Sequence, residues 1–205
     1  MGLLNVFFKS FVLGVIVSVP MGPMGILVLK RTLNKGRMLG LISGLGVALA
    51  DVLFSFIALF GISFFNVKLE NIWFRIIGGI TLMVVGLAMF MANPIKEIKK
   101  TISGKHYLSY LFSAFAITIT NPLTILFFAA SFAALGFTSK MMTSSLYFFV
   151  IVGIFMGAMF WWTSLTMIVG FFHKKIKLKG MFYINKISGI IIFVIGVVSF
   201  FSIFL

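Results

Sequence analysis

One acid stands apart in this chain. Asp51 lies near the middle of an apolar stretch from about Met38 to Phe65, while the other two acids, Glu70 and Glu97, sit at the edges of such stretches. If that stretch crosses a bilayer, an ionised carboxylate at its centre costs about 3 kcal/mol on insertion scales. It must therefore be paired, hydrated or protonated. No Lys or Arg lies mid-stretch to pair with it. The chemistry open to Asp51 is to carry a proton or to anchor the ammonium of a solute. The plainer reading is a structural hydrogen bond to broken backbone nearby.

Broken backbone is expected at two places. Pro20, Pro23 and Pro122 lie inside apolar stretches, and Pro94 ends one. Proline removes a backbone donor and frees a carbonyl, and in lipid such groups need protein or cavity water. The run Val19-Pro20-Met21-Gly22-Pro23-Met24-Gly25 holds two prolines and two glycines in seven residues, so a regular helix is not expected there. Thr118, Thr120, Asn121 and Thr124 put polar side chains around the second break. A broken helix offers free N–H groups to a carboxylate and loose carbonyls to a cation. Gly22, Pro23, Thr120, Asn121, Pro122 and Thr124 therefore join Asp51 as candidate substrate- and proton-binding residues. The plainer reading is a pair of packing kinks.

Other chemistry is poorly represented. The chain has no cysteine, and its two histidines, His106 and His173, are far apart at basic loop edges. They do not make a metal site. No nucleophile elbow, phosphate loop or carboxylate pair is present, so no catalytic apparatus and no cofactor is expected.

These residues need elements to hold them. Hydrophobic residues make up 61% of the 205 residues and charged residues 10%, with a mean hydropathy of +1.22. A soluble domain carries roughly 25% charged residues, so lipid is the solvent that fits. Six apolar stretches reach the about 20 residues that a span takes. They run from about Leu4 to Leu29, Met38 to Phe65, Asn71 to Ala92, Tyr107 to Gly136, Thr143 to Phe172 and Tyr183 to Phe204. The first reads as a retained helix and not a signal peptide, since it has no Ala-x-Ala-like cleavage site and contains two prolines. The second, fourth and fifth exceed a straight span and are expected to tilt, kink or extend.

The net charge of +14 does not point to nucleic acid here, because the basic residues cluster in short connections, where they set topology and meet headgroups. Thirteen of the 17 lie in or beside the first, third and fifth connections, and only Lys9, Lys68, Arg75 and Lys140 lie on the other side. The positive-inside rule puts loops 30–37, 93–106 and 173–182 in the cytoplasm and both termini outside.

The two halves resemble each other. Gly22-Pro23-Met24-Gly25-Ile26-Leu27 in the first stretch matches Asn121-Pro122-Leu123-Thr124-Ile125-Leu126 in the fourth. Gly79 and Gly86, and Gly189 and Gly196, repeat a seven-residue spacing in the third and sixth. A three-span repeat inserts with opposite orientation, the plan of many secondary transporters. The expected fold is all-α: a single transmembrane domain, 1–205, of six helices in two inverted three-helix repeats, 1–95 and 107–205. Gly36, Gly40 and Gly44, and Gly153 and Gly157, stand at helix-packing spacing; Gly40, Gly44, Gly153 and Gly157 are read as packing residues whose faces permit a homodimer. Trp161 and Trp162 lie deep in the fifth stretch, where packing and cavity lining are both open.

With these motifs in order, the chain resembles the LysE/RhtB family of bacterial amino-acid exporters over nearly its whole length. The resemblance rests on Pro20-Met21-Gly22-Pro23, Leu27-Val28-Leu29-Lys30-Arg31 and Gly36-Arg37, then Gly44-Leu45-Gly46-Val47-Ala48-Leu49-Ala50-Asp51. It continues with Asn121-Pro122, Ile125-Leu126-Phe127-Phe128, Gly153, Gly157 and Trp161-Trp162. It implies a multi-pass, proton-driven exporter of amino acids or related zwitterionic solutes in the bacterial cytoplasmic membrane. Two departures stand out: Met21 separates Pro20 from Gly22-Pro23 where the family often has Pro-Gly-Pro, and Leu123 follows Asn-Pro where a basic residue is common. If the charge after Asn-Pro helps choose the substrate in the family, Leu123 implies a different solute here. The rival readings are a metal or inorganic-ion exporter of related architecture, disfavoured by the single mid-span acid, and a non-transporting membrane scaffold, which would have a dry, packed junction between the halves.

Overall fold

The computed structural model describes residues 2–19, 23–64, 72–91, 106–134, 144–171 and 178–201. Every element among them is an α-helix: α1 (Leu3–Ser18), α2 (Pro23–Lys35), α3 (Arg37–Phe64), α4 (Ile72–Met91), α5 (Tyr107–Ile119), α6 (Pro122–Ala134), α7 (Ser144–Phe171) and α8 (Leu178–Phe201).

The first and fourth apolar stretches each become two helices. The first gives α1 and α2, with residues 20–22 between them outside the described residues. The fourth divides at Thr120-Asn121, where the chain bends by 66° between α5 and α6. Proline is the physical reason: it begins both α2 and α6, the position where its missing N–H has no partner to lose. The second and fifth stretches become α3 and α7, each of 28 residues. At 1.5 Å per residue each is about 42 Å long, more than the roughly 30 Å of a hydrocarbon core. These two are long and apolar enough to cross a membrane alone, and the bent α5–α6 pair makes a third such unit.

Two connections are shorter than the sequence suggests. Loop 30–37 is almost all helix, because α2 continues to Lys35 and α3 starts at Arg37. The turn is made at Gly36, whose φ of 94° is open to glycine with little strain. The end of loop 173–182 likewise belongs to α8, while loop 93–106 lies outside the described residues except for His106.

The long helices α3 and α7 pack on one another and serve as the frame. α1 lies on α7, α5 on α3, and α2 is wedged against both α3 and α7. α4 and α8 pair with each other, and α4 also meets α6. Glycines set the close approaches. A methyl group at Gly157 would strike the Phe11 carbonyl of α1, and one at Gly46 would strike the Leu111 carbonyl of α5. Gly153 faces Phe7 and Ser10, Gly40 faces Thr32, and Gly44 lies against Trp162. Between α4 and α8, Gly79 meets Gly196 and Gly86 meets Gly189, so two backbones touch directly. Small residues permit such backbone contact in lipid.

The buried apolar side chains form two clusters. One holds Leu13, Phe54, Ala58, Leu59, Phe127, Phe128, Phe132 and Ile154 among others. The second holds Ile26, Leu29, Val47, Ala48, Ala114, Ala158 and Trp162 among others. The exterior is also apolar: Phe56, Phe60, Phe112, Phe148, Phe160 and Phe171 are all exposed. A contiguous apolar exterior of this kind marks a contact with lipid or another apolar partner.

Candidate functional site

The two clusters meet at a polar layer. Along α3, Val47 and Ala48 belong to one cluster and Phe54 and Ala58 to the other, and Asp51 falls between them. Asp51 is 3% exposed. Ser18 and Thr118, near the ends of α1 and α5, and Ser55 on α3 are also buried. The hydroxyls of Thr118 and Ser55 are spent locally, donating to the carbonyls of Ala114 and Val52 at 2.8 Å each. Ser18 instead reaches across 33 positions and donates to Asp51 Oδ2 at 3.4 Å.

This is the one hydrogen bond Asp51 makes among the described residues. An ionised carboxylate offers about four acceptor sites. One long bond leaves most of that capacity for a proton, water or a cationic guest. No group of three or more His, Asp or Glu side chains suited to a metal ion occurs among the described residues.

The breaks border this layer. α1 stops at Ser18, with Val19 still donating to the Val15 carbonyl at 2.9 Å. α5 stops at Ile119, and Asn121 N–H then turns back to the Thr118 carbonyl at 3.0 Å. Ile16 and Val17 before the first break, and Ile119 and Ile125 around the second, all pack against the same apolar cluster.

The sequence-derived candidates are not placed alike. Asp51 is buried and Thr124 half-buried, whereas Thr120 and Asn121 are exposed. Thr120 Oγ1 donates to the Ile117 carbonyl at 2.8 Å, and Thr124 N–H donates to the Asn121 carbonyl at 3.3 Å. Pro23 and Pro122 begin their helices, and Gly22 lies outside the described residues. The buried threonine at the second break is Thr118. A 3.6-residue repeat turns Thr118 inward and Thr120 outward, a distinction the sequence carries once α5 is known to be helical.

A second polar cluster lies apart from the sequence-derived candidates. Arg31, counted above among the loop charges, is 2% exposed. Its Nη1 donates to Ser43 Oγ at 2.8 Å and to the Tyr110 carbonyl at 2.9 Å, and its Nη2 donates to Ser113 Oγ at 2.8 Å. Its guanidinium also lies 4.9 Å from the Tyr110 ring centre. Lys35, one turn later, donates to the Tyr110 hydroxyl and lies 5.0 Å from the same ring. Two cations of α2 thus grip one tyrosine of α5. The available signal was Gly36: a glycine after a basic residue is a helix stop, and it carries α2 past Leu29 to Lys35.

The helical bundle and its apolar exterior agree with what the comparisons show. The LysE type translocator family matches residues 15–202. The chain belongs to this family of membrane-embedded transporters. A Bacillus subtilis (strain 168) protein named "Putative amino acid efflux protein YcgF" is 24% identical over 197 residues, covering 94% of each chain. An Escherichia coli (strain K12) protein named "Uncharacterized membrane protein YahN" is 32% identical over 112 residues, covering 52% of this chain and 49% of its own. No solved structure matches.

Proposed function

We propose that this protein exports amino acids or related small zwitterionic solutes from the bacterial cytoplasm in exchange for protons. The observation that carries the reading is the polar layer: a buried Asp51 with one serine donor, between two apolar clusters and beside two helix breaks. Its support from outside is the family and the efflux function in a relative's name.

In this reading the solute's ammonium and the proton compete for Asp51. With the proton bound, the layer is neutral and crosses the cycle empty. With the ammonium bound, the charge is compensated by the carboxylate. The solute carboxylate docks on N–H groups freed where α2 or α6 begins. Both termini lie outside and loops 30–37, 93–106 and 173–182 lie inside.

The inverted repeat belongs to the same reading. If α1–α4 correspond to α5–α8, the pairing of α1 with α7 has its counterpart in α5 with α3, and that of α2 with α7 in α6 with α3. The meetings of Gly79 with Gly196 and of Gly86 with Gly189 also exchange under that correspondence. Two halves that interlock in this way can exchange conformations and so open the layer to one side and then the other.

The test is a comparison of extracellular amino acids from cells with and without the protein, repeated with Asp51→Asn. The wild-type chain raises the export of at least one amino acid. The variant inserts normally but exports none against a proton gradient. Unchanged efflux from Asp51→Asn would remove Asp51 from the mechanism.

A further inference from the structure

The two ends of the bundle differ. At the end where α2 meets α3, the grip of Arg31 and Lys35 on Tyr110 ties α2 to α5. Toward the other end, a cavity of about 150 Å³ opens between α1, α4, α6 and α8. Its walls are apolar, among them Leu82, Phe127, Ile192 and Ile195, with two exceptions: Lys9 of α1 and Ser131 of α6. Ser131 is 5% exposed. Lys9 is half-buried and makes no hydrogen bond or ion pair among the described residues.

We infer that this cavity is the exit-side station of the exporter, where Lys9 and Ser131 receive the carboxylate of a solute with an apolar side chain. The inference rests on the efflux reading and names the solute class. Three observations carry it. First, an ammonium facing an apolar cavity has an unmet need for an anion, and Ser131 offers a hydroxyl in the same lining. Second, the size fits: an apolar cavity of ~150 Å³ holds a benzene-sized guest, which is the scale of one branched or aromatic side chain and short of an acyl tail. Third, the cavity includes Lys9, in the half of α1 nearer the terminus that the efflux reading places outside. Its α1 wall is Lys9, Val12, Leu13 and Ile16, a single helix face at i, i+3, i+4 and i+7, on the side of α1 opposite Ser18. Its α6 wall, Phe127 and Ser131, starts within two turns of Pro122.

The experiment uses the full chain in proteoliposomes loaded with tritiated leucine. External 4-methylpentanoate, which keeps leucine's side chain and carboxylate but lacks the ammonium, is added as a probe of the exit side. It inhibits wild-type efflux, whereas isopentylamine, which keeps only the side chain and ammonium, inhibits far less. Lys9→Met raises the half-inhibitory concentration of 4-methylpentanoate roughly tenfold or more, the cost of one charge-assisted bond, and leaves the lumenal concentration for half-maximal efflux unchanged. Lys9→Arg stays within about twofold of wild type, which rules out a folding defect. Equal inhibition of Lys9→Met and wild type overturns the inference. So does a Lys9→Met effect confined to vesicles containing anionic lipid, which would make Lys9 a headgroup contact. Export of polar amino acids with no export of leucine overturns the solute class while leaving the efflux reading intact. Export of no amino acid at all removes the efflux reading and this inference with it.

Discussion

Ser18 and Asp51 are joined by a hydrogen bond of 3.4 Å that links the last residue of α1 to the middle of α3. The bond is long for a hydroxyl donor, whose usual distance to oxygen is about 2.7–2.8 Å. It holds the acid without saturating it. Ser18→Ala is therefore expected to slow proton-driven efflux by about tenfold or less, in line with the loss of about 1 kcal/mol. Asp51→Asn should abolish it. Efflux rates from loaded proteoliposomes under an imposed pH gradient check both; equal losses in the two variants would make Ser18 indispensable and not merely supportive.

The Arg31 cluster makes a prediction about stability. Each of its hydrogen bonds to Ser43, Tyr110 and Ser113 crosses between helices. Such bonds average about 0.6 kcal/mol in membrane proteins, so Arg31→Met should cost about 2 kcal/mol, read as a lower unfolding midpoint in detergent. Arg31→Lys should recover only part of this, because an ammonium cannot reproduce the planar fork. Tyr110→Phe should cost less than Arg31→Met, since the Tyr110 carbonyl and ring remain.

Gly157→Ala tests the α1–α7 seam. The added methyl would collide with the Phe11 carbonyl, a backbone atom that cannot swing aside. Overpacking of this kind costs about 1–3 kcal/mol. The midpoint of thermal unfolding should fall, and a compensating change on α1 should not restore it, because the obstacle is main chain.

Gly36→Ala tests the α2–α3 turn. Nothing crowds Gly36, so any cost arises from its φ of 94° alone. The expected loss is about 1 kcal/mol. Gly36→Asn should lose less, as asparagine tolerates left-handed backbone better. Unfolding of the three chains side by side decides this.

Much of the site can be read from residue types. Asp51 is visible because a charge in an apolar stretch has no trivial explanation. The breaks are visible because proline cannot donate. Ser18 is not visible, since a serine in an apolar stretch becomes notable only when its helix stops beside it. Arg31 was hidden by the same rule that reads topology. Counting basic residues near span ends treats them as interchangeable headgroup contacts, yet the helix carries Arg31 onto a buried face while Lys30 and Lys35 remain more open. Each of the six apolar stretches is helical over its described residues, and the division at Thr120-Asn121 stayed hidden because hydropathy averages over a bend that costs no apolar residue.

The placement of Arg31 also bears on how the chain is made. Ser43 follows it by 12 residues, but Tyr110 and Ser113 follow by 79 and 82. At ~5–20 residues per second, α2 leaves the ribosome about 4–16 s before α5 can receive its guanidinium. During that interval the nascent hairpin of α2 and α3 carries a cation with only part of its shell. The shell of Arg31 is thus complete only when the second half of the chain arrives to supply Tyr110 and Ser113.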